Sequence, residues 1–390
     1  MMIKKDIYWT GYIDWALRNF HGYSTPSGST YNAYLLLDEK PTLIDTVKRY
    51  GYEEMLYNIR EVIDPSKIRY IISNHTEMDH SGSIGKMLEH CPGAEVVCSA
   101  KGEEGLKKHF GSDWKFKVVT TGDSISIGKR TLKFFPVPMV HWPDSMVTYC
   151  PQEKILFSND AFGQHHASSE RFADEVGIET VCKEAEKYYA NIVLPYGSQV
   201  VKALEALQSL PIETICPSHG LVWRRAEDIK RIIALYTQWA QYQSEPRVAI
   251  VYDTMWHSSE KMALRLCQLL EKDGLAVKLM SLQAVHISDA MTEVMRSRVI
   301  CIGSAILNNK ILPSMGAFLT YMKGLKPKNR SGFTFGSYGW SQIGFKELED
   351  ALHESGITKL CDSVYSNWVP DEGELKRLEE VVIKIKQAIL

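Results

Sequence analysis

The chain has no C-x-x-C pair. Its eight cysteines, Cys91, Cys98, Cys150, Cys182, Cys216, Cys267, Cys301 and Cys361, are scattered. That excludes a fused rubredoxin-type iron site or a zinc ribbon, which need closely paired thiolates. In 390 residues it points to reduced, buried thiols, not a disulfide framework. No apolar run approaches the roughly 18 residues of a membrane helix. The opening "MMIKKDIYWTGYIDW" lacks a signal peptide's apolar core, so the expected location is the cytoplasm. There is no excess of charge of one sign either. With 45 Lys and Arg against 47 Asp and Glu, the formal charge of −2 offers nucleic acid no footprint. What remains, at 45% hydrophobic and 24% charged residues, is a globular chain long enough for two or three domains.

Two blocks differ in rhythm. Up to about residue 225 short strands dominate, among them "YNAYLLLDE", "IRYIISN", "TLKFFPVPM", "KILFSND" and "ETICPSH". Helical stretches such as "EEMLYNIREVI" intervene, with apolar residues three or four apart. Two sheets with helices outside fit this mixture. After "SEP" at 244–246 the pattern turns to regular alternation: "RVAIVYD", "AVKLMSL", "RVICIGS" and "RSGFTFGS" are compact strands separated by helices. That rhythm predicts a doubly wound parallel sheet. The expected domains are therefore 1–244 and 245–390.

The first block carries a dense cluster of metal-competent side chains. "IRYIISN" runs into "HTEMDH". An extended loop projects His75, Glu77 and Asp79 to one side, with His80 following at a helix start. His141, Asp160 and His219 occupy similar strand-end positions after "FFPVPMV", "KILFSND" and "ETICPSH". Four imidazoles and three carboxylates are too many for one tetrahedral ion. They suit two ions sharing a bridging carboxylate, for which Asp160 is the natural candidate. Glu77 stands where an H-x-H-x-D-H loop has its second histidine, making the site harder and more anionic. That shifts preference from zinc towards iron or manganese, and so towards redox chemistry.

The second block lacks both G-x-G-x-x-G and G-K-[ST], which disfavours a dinucleotide or a nucleoside triphosphate. It has instead a hydroxyl-bearing loop, "TMWHSSEKMALRL", between a strand and a helix N-terminus, where backbone N–H groups and the helix dipole favour phosphate. Thr254, Ser258 and Ser259 are the expected donors. The loops "GSAILNN" (303–309) and "FGSYGWS" (335–341) lie at the same strand ends. Small residues there let the backbone approach a flat ring, on which Tyr338 or Trp340 can stack.

Together "NHTEMDHSG", "VHWPDSM", "SNDAFGQH" and "PSHG", followed by "YDTMW", resemble the flavodiiron proteins (A-type flavoproteins) over nearly the whole chain. The resemblance implies a metallo-β-lactamase-like αββα sandwich followed by a flavodoxin-like domain. It implies one iron on His75, Glu77 and His141, a second on Asp79, His80 and His219, and Asp160 between them. His21, in "FHGYSTPSGSTYNAYLL", would then lie close to the pocket as a catalytic candidate. His165 and His166 are either partners that orient ligands or surface residues. FMN would be held by Thr254, Met255, Trp256, His257, Ser258 and Ser259, by Ser304, Ala305, Ile306, Leu307 and Asn308, and by Ser337, Tyr338, Gly339, Trp340 and Ser341. Ala305, Ile306 and Gln342 depart from the family's usual loop residues.

The activity implied is reduction of dioxygen to water, of nitric oxide to nitrous oxide, or of both. Electrons would come from an external donor, rubredoxin or a reduced deazaflavin coenzyme, in a head-to-tail homodimer or a dimer of dimers. The basic stretch "KGLKPKNR" (323–330) reads as a solvated turn, with docking of an acidic carrier as the alternative. A zinc-dependent hydrolase of the metallo-β-lactamase type with an accessory flavodoxin-like domain is the main competing reading. An electron-transfer flavoprotein with a structural metal site is the other.

Overall fold

The computed structural model describes residues 1–111 and 114–389, and they pack as two compact units. The first comprises Met1–His21, Thr25–Tyr188 and Ser198–Thr237; the second comprises Gly22–Ser24, Tyr189–Gly197 and the chain from Gln238 onward. Among the described residues no helix is long and apolar enough to cross a membrane.

The first unit contains two large sheets. One has seven strands in the order Met2–Lys4, Ile7–Trp9, Tyr34–Leu36, Thr42–Ile44, Tyr70–Ile72, Glu95–Cys98 and Phe116–Val118. The other has five: Ser124–Ser126, Thr131–Pro136, Met146–Cys150, Ile155–Asn159 and Thr214–Pro217. The two-residue period of a strand sorts the side chains. Tyr34, Leu36, Ile44, Ile72 and Val97 share one core with Leu132, Phe134, Met146 and Phe157 of the second sheet. Their alternates Leu35, Leu43, Ile71 and Val96 share another with Met55, Leu56 and Ile59 of helix Tyr52–Arg60 and with Ile84 and Met87 of helix Ile84–His90. Each such side chain, taken fully out of water, contributes on the order of 1.5–3 kcal/mol. Every residue of Met146–Cys150 and Ile155–Asn159 is buried, so the second sheet is covered on its outer face as well. The expected helix–sheet–sheet–helix sandwich is therefore present.

In the second unit the parallel strands run Ala276–Ser281, Glu245–Tyr252, Ser297–Leu307 and Ser331–Tyr338, with Thr358–Lys359 and Val364–Asn367 on the outer edge. Counted along the chain this is the 2-1-3-4-5 order of a flavodoxin-like sheet. Val248, Ile250, Cys301 and Phe333 pack against helices Ser258–Lys272 and Glu372–Ile389. Their alternates Ala249, Val251, Ile300 and Ile302 are fully buried on the opposite face. Both faces are covered, which explains why these strands read as continuous apolar runs.

Candidate metal centre and cofactor crevice

The loop after strand Tyr70–Ile72 does not stay extended. It turns helical at Met78–Ser81, with Glu77 just before the turn. Asp79 and His80 therefore leave one helical turn, and the alternation expected for Asp79 does not hold. Side-chain hydrogen bonds, some from elsewhere in the fold, hold the backbone in this shape. Asp45 accepts from both nitrogens of Asn74 (2.8 and 2.9 Å), Ser81 Oγ donates to the Thr76 carbonyl (2.7 Å), and Thr46 donates to the His80 carbonyl.

The seven predicted residues nonetheless converge. His75, Glu77 and His141 bring ligand atoms within 4.8 Å of one another, as do Asp79, His80 and His219. Asp160 faces both groups. Its Oδ2 lies 3.8 Å from His75 Nε2 and 3.3 Å from His141 Nε2; its Oδ1 lies 3.1 Å from His80 Nε2 and 3.3 Å from His219 Nε2. Glu77 Oε2 is 3.4 Å from both His75 and His141 Nε2. The carboxylate of Asp79 is 3.4 Å from His80 Nε2 and 3.2 Å from His219 Nε2. Ligand atoms about 2.0–2.2 Å from one ion sit roughly 3.0–3.5 Å apart at tetrahedral to octahedral angles, so nearly all of these spacings fit a shared ion.

Burial gives an independent test of fit. His75 Nε2, both ring nitrogens of His80, and all four carboxylate oxygens of Asp79 and Asp160 are buried without a hydrogen-bond partner among the described residues. Orphaned polar atoms cost about 1–3 kcal/mol each and are rare in folded proteins, so such a cluster is that of a built metal site. Burial by itself disfavours charge on these groups, but neighbouring opposite charges prevail. The carboxylates hold His75 well above its usual range and raise His141 to about 9 and His219 to about 10, and the imidazoles push Glu77 down. The far nitrogens are fixed as well. Asp144 Oδ2 accepts from His75 Nδ1 (2.8 Å) and the Thr30 carbonyl from His219 Nδ1 (2.7 Å), leaving both Nε2 atoms free to face an ion.

His21 comes to the rim of the same cluster, its exposed ring 3.1 Å from Glu77 Oε1 through Nε2. Buried His165 lies against His219 with ring centroids 4.9 Å apart and its Nδ1 2.7 Å from Ser29 Oγ. Burial, then the His219 charge, keeps its pKa well below the ordinary value. His166 is half-buried, with Glu170 as its charged neighbour.

In the second unit a cavity of about 300 Å3 opens at the carboxyl ends of the strands. It is lined by Met255, Trp256, Ser258, Ala305, Ile306, Leu307, Asn308, Ser337, Tyr338, Gly339 and Trp340, all expected there. Thr254, His257, Ser259, Ser304 and Ser341 do not line it. His257 turns away to Glu260 (2.6 Å), while Ser259 bonds the lining Ser337 (3.2 Å) and Ser304 the carbonyl of the lining Ala305 (2.9 Å). Ser341 Oγ accepts from the Ile343 N–H (3.4 Å). Thr254 Oγ1 is buried without a hydrogen-bond partner among the described residues. A Cβ on Gly339 would sit 2.9 Å from the Trp368 ring, so glycine permits that close approach. A flat ring with a phosphate tail suits a crevice with indole walls and a hydroxyl-bearing loop at a helix start.

The comparisons agree with this geometry. Residues 30–220 match a family model described as ODP family beta lactamase, and residues 250–380 one described as Flavodoxin. A nitric oxide reductase of Moorella thermoacetica is 43% identical, over 99% of this chain and 98% of its own length. The rubredoxin oxygen:oxidoreductase structure from Desulfovibrio gigas superposes with a TM-score of 0.98 at 41% identity, covering 100% of this chain and 98% of that one. The flavodiiron protein structure from Giardia intestinalis gives 0.96 at 35% identity, covering 99% and 96%. The chain belongs to the flavodiiron protein family.

Some residues of this flavodiiron protein carried no local signal. Asp144 sits within "VHWPDSM" but reaches His75 across 69 residues of sequence, and Thr30 reaches His219 across 189. Trp368 and Val369 complete the crevice from the end of the outermost strand. The basic stretch 323–330 precedes strand Ser331–Tyr338, whose far end carries the crevice roughly 25 Å away. There Lys323 pairs with Glu354 (3.1 Å) and buried Arg330 donates to the Tyr242 carbonyl (2.8 Å), so these two side chains serve the fold.

Proposed function

We propose that this flavodiiron oxidoreductase reduces dioxygen to water, nitric oxide to nitrous oxide, or both, with two irons in the first domain and FMN in the second. Asp160 carries the reading: one carboxylate offers an oxygen to each of two ligand groups. His75, Glu77 and His141 would hold one iron, Asp79, His80 and His219 the other, and the functional boundary lies near Ser244. When bound, a ferrous pair and a reduced flavin would together supply four electrons, the number that turns dioxygen into two waters, whereas two nitric oxide molecules need two. Glu77 replaces an imidazole with a hard anionic ligand and so favours iron over zinc. Asp144 and the Thr30 carbonyl keep His75 and His219 in the tautomer that presents Nε2. His21, exposed and hydrogen-bonded to Glu77, moves protons from solvent at its Nε2.

Electrons enter from a rubredoxin-type donor or a reduced deazaflavin coenzyme in the cytoplasm. A head-to-tail homodimer, alone or doubled, sets the FMN of one subunit beside the irons of its partner. Protein purified without oxygen should contain about two irons and one FMN per chain and should oxidise reduced rubredoxin under at least one of the two gases, without stoichiometric peroxide under dioxygen. A colourless zinc protein, or one dinuclear and flavin-loaded yet inert to both gases, refutes the proposal. Activity that persists in a strict monomer refutes the dimer.

A further inference from the structure

A cavity of about 560 Å3 opens at the outer edge of the second unit's sheet, apart from the crevice, at a break in the edge strand. Thr358–Lys359 pairs with Ser331 and Gly332, and Val364–Asn367 pairs with Phe335 to Tyr338. The residues between leave Thr334 without a ladder partner on that side, and helix Lys346–Glu354 contributes to the cavity wall. The volume lies within the range of small-molecule sites.

Three lining residues, Thr334, Glu349 and Ser363, form one hydrogen-bond cluster with Tyr365, which does not line the cavity. Ser363 Oγ and Tyr365 OH donate to Glu349 Oε1 at 2.6 and 3.3 Å. Thr334 Oγ1, buried, lies 2.6 Å from Ser363 Oγ and 2.9 Å from Tyr365 OH. Three hydroxyl protons serve four oxygen–oxygen contacts, so the cluster holds more acceptors than donors. The charges are unbalanced in the same sense. Lys359 is paired with Asp362 at 3.2 Å and Asp350 with Lys346 at 3.3 Å, while Glu349 has no ion-pair partner among the described residues. Leu352 and Ile357 supply an apolar wall. Among the described residues, His, Cys, Asp and Glu ligand atoms converge in threes only at the two groups of the first unit, and Glu349 is the one carboxylate in this cluster.

We infer that this cavity binds a small organic cation, an ammonium group on an apolar body, with the N–H donors on Glu349 and the carbon frame against Leu352 and Ile357. The site is independent of the gas-reducing reaction and requires neither iron nor FMN to form.

Isothermal titration of the FMN-loaded, iron-loaded protein with cyclohexylammonium tests this, with cyclohexanol as the uncharged probe and magnesium as the bare cation. The expected result is saturable binding of cyclohexylammonium at one site per chain, none of cyclohexanol or magnesium, and at least about tenfold weaker binding to Glu349→Gln. Thr334→Val, which removes one hydroxyl and keeps the shape, is expected to alter the affinity too, and it decides the matter if Glu349→Gln does not fold. No saturable binding of the ammonium, equal binding of the alcohol, competition by magnesium, or wild-type affinity in the folded variant overturns the inference.

Discussion

Replacing Asp144 with asparagine separates holding an iron from holding the loop that carries its ligand. The buried Oδ2 of Asp144 accepts from His75 Nδ1 at 2.8 Å and from the Thr76 N–H at 2.7 Å. Its side chain is only 5% exposed, so water does not replace it. An asparagine amide oxygen can occupy the same place and keep both bonds; what it loses is the charge. Hydrogen bonds to charged groups contribute about 1.5–3 kcal/mol against about 0.5–1.5 for neutral ones, a difference of roughly 1–2 kcal/mol. At about 1.4 kcal/mol per decade this is roughly a 5- to 30-fold loss of iron affinity, overlapping the 10- to 100-fold range of comparable outer partners. The loss should concentrate on the iron held by His75. Chelator competition followed by elemental analysis should show one iron leaving early and the second close to its wild-type profile. Metal-free D144N should lose less stability than Asp144→Ala, because the His75 Nδ1–H and the Thr76 N–H keep their acceptor. Asp144→Ala strands two buried donors and should destabilise the metal-free protein by about 1–3 kcal/mol for each. A D144N protein with both irons and an unchanged chelator profile refutes the claim that this carboxylate orients His75.

Other substitutions test the remaining parts. Glu77→His restores an imidazole to the first group and should raise the zinc-to-iron ratio at least about tenfold in protein grown on both metals, with gas reduction falling in step; unchanged iron loading refutes the argument from ligand hardness. Gly339→Ala forces the Trp368 ring to move away from a Cβ only 2.9 Å off, and FMN affinity measured by flavin fluorescence should weaken several-fold with little change in iron content. Asp38 is desolvated, yet it accepts from the Glu39, Lys129 and Arg130 N–H groups and faces the Arg130 guanidinium, so its pKa is depressed. A carboxylate lowered in the folded state stabilises above its unfolded value of about 3.9 and loses that contribution as pH falls through the folded value. Denaturant titrations should therefore find Asp38→Asn less stable than wild type at pH 6 and the gap closing towards pH 3; a gap that does not depend on pH counts against it.

The amino-acid sequence by itself determined the chemistry of both sites and the rhythm of both sheets. "HTEMDH" places four ligand-competent groups in six residues, and strands that are apolar throughout announce a sheet covered on both faces. Such signals are legible because they are local: they depend on spacing along the chain, which covalent geometry sets. Tertiary structure alone decided the contacts between residues far apart. It turned Asp79 and His80 onto a helical turn through Asp45 and Thr46, chose Asp144 and the Thr30 carbonyl to fix the imidazoles, and swung His257 out of the crevice while bringing Trp368 in. The physical reason is that a buried donor or acceptor must find a partner wherever packing puts one. Which partner it finds depends on how the layers stack, and no spacing along the chain encodes that directly.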